Sequence, residues 1–106
     1  MPDSTDRRAS DRLPVNAGTG CSFVGPVQDV GPGRVRDVSM EGIGLLLAHR
    51  VEIGCTLAIA LANPERGFAK TLLVRVAHVT AVPGGFLVGG SFTAPLTYQE
   101  LTTLVM

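Results

Sequence analysis

The sequence predicts a mainly β fold, a six-stranded antiparallel β-barrel with a flexible N-terminal arm and a short C-terminal α-helix. Three observations lead there. Apolar runs are short and are broken by glycine and proline at regular spacing, two of the longest runs meet at the turn signal Pro83-Gly84-Gly85, and helical spacing occurs only at the C-terminus. Strands of this kind close into a barrel because closure removes exposed sheet edges. With 106 residues, 45% hydrophobic and 17% charged, the chain suits one compact folded domain.

The elements follow in order. Residues 1–12 are polar and charged, with Arg7, Arg8 and Arg12 among Asp3, Asp6 and Asp11; they have almost no apolar side chain to bury and are expected to form a mobile, ligand-binding arm. Leu13-Pro14-Val15 opens the apolar sequence, so the domain proper is expected to span 13–106. Cys21 to Val27 is a plausible strand, bulged near Gly25-Pro26, and Gly31-Pro32-Gly33 turns it into the short strand Arg34 to Val38. Gly42 to Ala48 ends in a continuous apolar run. Cys55 to Ala62 alternates; its alanine-rich centre is compatible with helix, but its shortness and Pro64 favour strand. Phe68 to Thr80 is the longest strand, with Leu72, Val74, Val76 and by extrapolation His78 on one face, and Phe86 to Phe92 completes a hairpin with it. Thr97 and Glu100 have the spacing of a capping box, and Leu101, Leu104 and Val105 form one apolar helical stripe.

Composition excludes several functions. Nine basic and nine acidic residues give a formal net charge of zero, which argues against a general nucleic-acid binder but leaves room for a small anionic ligand held by a local basic cluster. Cys21 and Cys55 make no Cys-x-x-Cys pair and are read as small buried hydrophobes, not as a disulfide framework or metal site. His49 and His78 lack partners at metal spacing, and His78 is read as a strand residue. No serine sits in a nucleophile elbow, and no phosphate-cradling glycine loop is present. No apolar run reaches the roughly 20 residues of a spanning helix, and the N-terminus lacks a signal-peptide core. No membrane insertion and a cytoplasmic location are therefore expected.

Two clusters carry the chemistry. Arg7-Arg8-Ala9-Ser10-Asp11-Arg12 contains Arg-x-x-x-Arg, and Asp37-Val38-Ser39-Met40-Glu41-Gly42 is Asp-x-Ser-x-x-Gly at a strand end. An arginine fork donates paired hydrogen bonds to guanine O6 and N7 or to phosphate, and its flat face stacks on a base. Asp37 can accept from guanine N1–H or N2–H₂, and Ser39 offers a hydroxyl. In extended chain, positions 37 and 39 share a face, and Gly42 would let a ligand or backbone come close; Asp37-x-Ser39 could also be a plain turn in which the side chains bond the local backbone, and both roles can coexist.

The pair of clusters, in this order, resembles the PilZ family. Leu45-Leu46-Leu47 looks like that family's apolar strand after the second motif, and Val74 to Phe92 is similar to its closing hairpin. The resemblance implies a non-enzymatic domain that binds the bacterial second messenger cyclic di-GMP between the arm and the barrel surface. It implies Arg8 and Arg12 as the arm arginines and Asp37, Ser39 and Gly42 as the barrel motif, with no cofactor. Arg7 is an added candidate, and its charge favours an intercalated ligand pair. Arm ordering would pass the signal to a separate, unidentified effector protein. The alternatives are a PilZ-like adaptor that does not use the ligand, a small enzyme or flavin-binding barrel, for which no site is visible, and a nucleic-acid-binding barrel. The last is weakened by the neutral charge and by few aromatics for stacking.

Overall fold

In the computed structural model, the described residues are 12–24 and 33–106. Six antiparallel strands, β1 (Gly20–Val24), β2 (Gly33–Val38), β3 (Gly42–Leu47), β4 (Thr56–Asn63), β5 (Phe68–Val82) and β6 (Gly85–Phe92), precede one helix, α1 (Tyr98–Val105). They form one sheet in the order β1-β4-β5-β6-β3-β2. The sheet coils into a nearly closed barrel. At the seam, a β-carbon placed on Gly33 of β2 would stand 3.1 Å from the Phe23 ring of β1. The expected fold class is the observed one. The arm, with Arg7 and Arg8, and the tail of the expected first strand lie outside the described residues.

Alternation drives the barrel. Ile43, Leu45 and Leu47 of β3, Leu57, Ile59 and Leu61 of β4, and Leu72, Val74 and Val76 of β5 all turn inward and are buried together. Cys21 and Cys55 are free and only half buried, packing against the edge of this core and not within it.

Two bulges reset the alternation. Between β2 and β3, Val35 pairs with Leu45 and Asp37 with Gly44, so Arg36 is an extra residue. Between β5 and β6, Val76 pairs with Gly90 and His78 with Gly89, so Ala77 is extra. A bulge puts two residues of one strand opposite one of its partner and exchanges the faces beyond it. His78 therefore does not continue the Leu72–Val74–Val76 face, as unbroken alternation implied. It is exposed on the outside, and Val79 takes the inward position against the core.

The helix sits over one end of the barrel. Leu104 is fully buried and Leu101 and Val105 are half buried. Thr97 Oγ1 accepts from Glu100 N at 3.0 Å and Thr97 N donates to Glu100 Oε1 at 2.9 Å, the expected capping box. Lys70 of β5 donates to Glu100 Oε2 at 2.6 Å, and Asn16 N donates to Leu104 O at 2.7 Å. Together these contacts tie the helix to β5 and to the segment that enters β1.

The hydrogen bond from Lys70, followed by those from Thr97, holds the Glu100 carboxyl below its ordinary range. A depressed folded-state pKa contributes stability that is present above the unfolded value and is lost as pH falls through the folded one. Glu100→Gln keeps an acceptor for the cap and removes the ion pair. Denaturant unfolding should therefore show that the variant loses less stability than the wild type between about pH 6 and pH 3. Parallel losses would mean that the Lys70–Glu100 pair does not hold the helix.

Candidate functional site

The outer face of β2, β3, β6 and β5 gathers the chemistry-bearing residues in cross-strand rows. In one row Asp37 pairs with Gly44, Gly44 with Gly89, and Gly89 with His78. In the next, Gly42 pairs with Ser91 and Ser91 with Arg75. On the other side of the glycine row, Arg34 pairs with Leu46 and Leu46 with Leu87. The middle of this face is floored by backbone, because Gly42, Gly44 and Gly89 carry no side chain.

Arg12 reaches this floor because the chain just after it is pinned. Leu13 and Val38 exchange two backbone hydrogen bonds of 2.9 Å, an isolated antiparallel bridge at the end of β2. The guanidinium then lies over the glycines: a β-carbon at Gly42 would stand 3.1 Å from Arg12 Nη2, and one at Gly44 would stand 3.3 Å from Nη1. Arg12 Nη1 meets Asp37 Oδ1 at 3.5 Å, with both side chains partly exposed. An ion pair of that length and exposure is worth at most about 1 kcal/mol, so a ligand can open it at little cost.

Ser39 takes the local turn role that the sequence left open, not a place on the outward face of Asp37. The chain leaves extended geometry after Val38, so Ser39 does not share the outward face of Asp37. Its side chain is buried, and its oxygen accepts from Gly42 N at 3.1 Å and from Glu41 N at 3.3 Å. The hydroxyl lies 3.4 Å from Gly42 O, which also accepts Ser39 N at 2.9 Å. This is a turn held by its own serine. Phe92 N donates to Glu41 O and Leu96 N to Met40 O, both at 2.8 Å, which fastens the turn to the end of β6.

Arg12, Ser39, Glu41, Gly42 and Ser91 line a shallow depression of about 240 Å³. It is smaller than the pockets that engulf a ligand, which start at about 300 Å³, so a nucleotide-sized ligand would lie across the surface with only a part entering. Arg34 and Arg36 flank a second shallow groove beside Leu46. On this face Arg12, Arg34, Arg36 and Arg75 stand against Asp37 and Glu41, a local basic excess in a chain of zero net charge. Such a patch attracts anions even where the global charge is balanced.

Comparison with protein-family models, with curated proteins and with solved structures returns no match.

Of the residues singled out in the sequence, Arg12, Asp37 and Gly42 come together on this face, and Ser39 supports them from beneath. Arg7 and Arg8 lie outside the described residues. Gly89 and Ser91 join the face through the pairing of β6 with β3, and Arg75 and His78 through the pairing of β5 with β6, which local sequence does not display. Away from this face, burial pushes the Cys21 thiol up to about 11, so it stays protonated at neutral pH and is no poised nucleophile.

The two floor glycines of β3, Gly42 and Gly44, should respond differently to substitution. A β-carbon at Gly42 would stand 2.5 Å from the Gly90 carbonyl oxygen, which is rigid backbone. At Gly44 the nearest atom, also at 2.5 Å, is the end of the Asp37 side chain, which can turn away. Gly42→Ala should cost about 1–3 kcal/mol in denaturant unfolding. Gly44→Ala should cost less than about 1 kcal/mol, because displacing a partly exposed carboxylate is cheap and alanine lowers unfolded-state entropy. Equal losses would show that the floor is not shaped as described.

Proposed function

We propose that this chain is a non-catalytic cyclic di-GMP-binding module of the PilZ type that relays messenger level to a partner protein. The observation that supports the reading best is that Arg12, the described arginine of the first motif, meets Asp37 of the second. Arg12 and Asp37 are 25 residues apart in sequence and meet over Gly42 and Gly44 on one basic outer face.

Each group has a chemical role in that reading. Arg12 supplies a fork for guanine O6 and N7 or for phosphate oxygens. Asp37 accepts from the guanine N1–H and N2–H₂ edge once the arginine turns to the ligand. Gly42 and Gly44 allow the ligand to approach the backbone, and the Ser39 turn holds Gly42 in place. Arg7 and Arg8 add phosphate or base contacts from the arm. The reading carries with it a bacterial, cytoplasmic setting, where an intracellular messenger would be met, and an effector that recognises the surface made by arm, ligand and barrel.

Calorimetry tests this. Wild-type protein should bind cyclic di-GMP in preference to cyclic di-AMP, and Arg12→Ala should weaken binding by about 2–4 kcal/mol, the range for a charge-assisted contact whose partner is left unpaired. Asp37→Ala should narrow the preference between the two nucleotides, since a carboxylate repels phosphate and helps only through base N–H groups. Unchanged affinity in Arg12→Ala, or no binding by the wild type, would overturn the proposal.

A further inference from the structure

We infer that His78 is a base-contacting residue of this site, forming its β5 wall opposite Arg12 and Asp37; the inference rests on the ligand reading above. The bulge at Ala77 is what places it there. With unbroken pairing His78 would face the core. With the extra residue it pairs with Gly89 and faces out.

The imidazole lies directly on the glycine floor. A β-carbon at Gly89 would collide with His78 Cε1 and Nε2, so only glycine at that position lets the ring lie down. Gly89 pairs with Gly44, over which the Arg12 guanidinium and the Asp37 carboxylate sit. Paired residues on adjacent strands stand about 4.5–5.5 Å apart. A flat imidazole and a flat guanidinium thus rest over neighbouring glycines, with the carboxylate at the far end of the row. Among the described residues, no side-chain hydrogen bond or ion pair engages His78, so its ring is free to turn towards a ligand.

This arrangement suits a purine. A base stacks on a flat, polarisable ring and tolerates no bulky side chain beneath it. Because the imidazole and the guanidinium lie over adjacent glycines, a base stacked on His78 directs its hydrogen-bonding edge towards Arg12 and Asp37. Leu46 and Leu87, half-buried outer-face neighbours in the next row, give the base an apolar border on one side. Ser91 and Arg75 provide polar groups on the other, suited to sugar and phosphate.

The chain has two histidines, so the test is clean. His49 is exposed near the end of β3, outside this row, and serves as the internal control. In proton NMR with cyclic di-GMP as titrant, the His78 ring signals should shift through the purine ring current and those of His49 should stay in place. By calorimetry His78→Ala should weaken cyclic di-GMP binding about tenfold, and His78→Phe should restore most of the loss by supplying a flat ring without polar atoms. The exposed position predicts unchanged thermal unfolding for both variants. If His78→Ala binds as the wild type does while Arg12→Ala does not, the role of His78 is wrong and the ligand reading stands. If His78→Ala weakens binding and His78→Phe does not restore it, stacking is wrong. A wild type that fails to bind cyclic di-GMP overturns both.

Discussion

Two backbone hydrogen bonds between Leu13 and Val38 are the constraint on which the site depends. They join the N-terminal segment to the end of β2, so the residue before Leu13 is carried to the outer face beside Asp37. An arginine held at a fixed root samples a small volume, which lowers the entropy cost of the proposed ligand contact. The same bridge positions the chain to run on to Asn16, whose backbone N–H and side-chain amide both bond the C-terminal end of α1. The segment from Leu13 to Asn16 thereby ties the end of β2 to the end of α1.

The glycine floor is the second constraint, and it carries a structural cost. Glycine in a strand gives up side-chain packing and loses more conformational freedom on folding than other residues. The chain nevertheless places Gly42, Gly44 and Gly89 in adjacent, paired positions on β3 and β6. The inward faces of the same strands offset the loss with Ile43, Leu45, Leu47, Val88 and Phe92, all buried. One face of the pair is devoted to stability and the other to access.

Much of this was legible in the sequence. Strand positions, the Pro83-Gly84-Gly85 turn and the Thr97–Glu100 cap are local signals, because turn chemistry and capping act within a few residues. The grouping of Arg12 with Asp37 and Gly42 was legible as motif chemistry. What escaped depends on pairing. The bulges at Arg36 and Ala77 are set by how a strand meets its neighbour, and the local pattern shows only the uneven spacing of Val35 and Val38 beside the first. Alternation alone therefore turned His78 inward and left Gly89 and Ser91 as ordinary strand residues. For Ser39 the sequence allows two arrangements: its spacing from Asp37 implies a shared face only while the chain stays extended, and the structure has the local turn instead.

The proposed ligand would lie on the outer face of β3 and β6, away from β4. Backbone amide chemical-shift mapping during titration with cyclic di-GMP locates it. The largest changes should fall on Asp37, Gly42, Gly44, Gly89 and Ser91, with the amides of Ala58 to Ala62 in β4 nearly unmoved. Changes centred on β4, or spread evenly over the barrel, would contradict that placement.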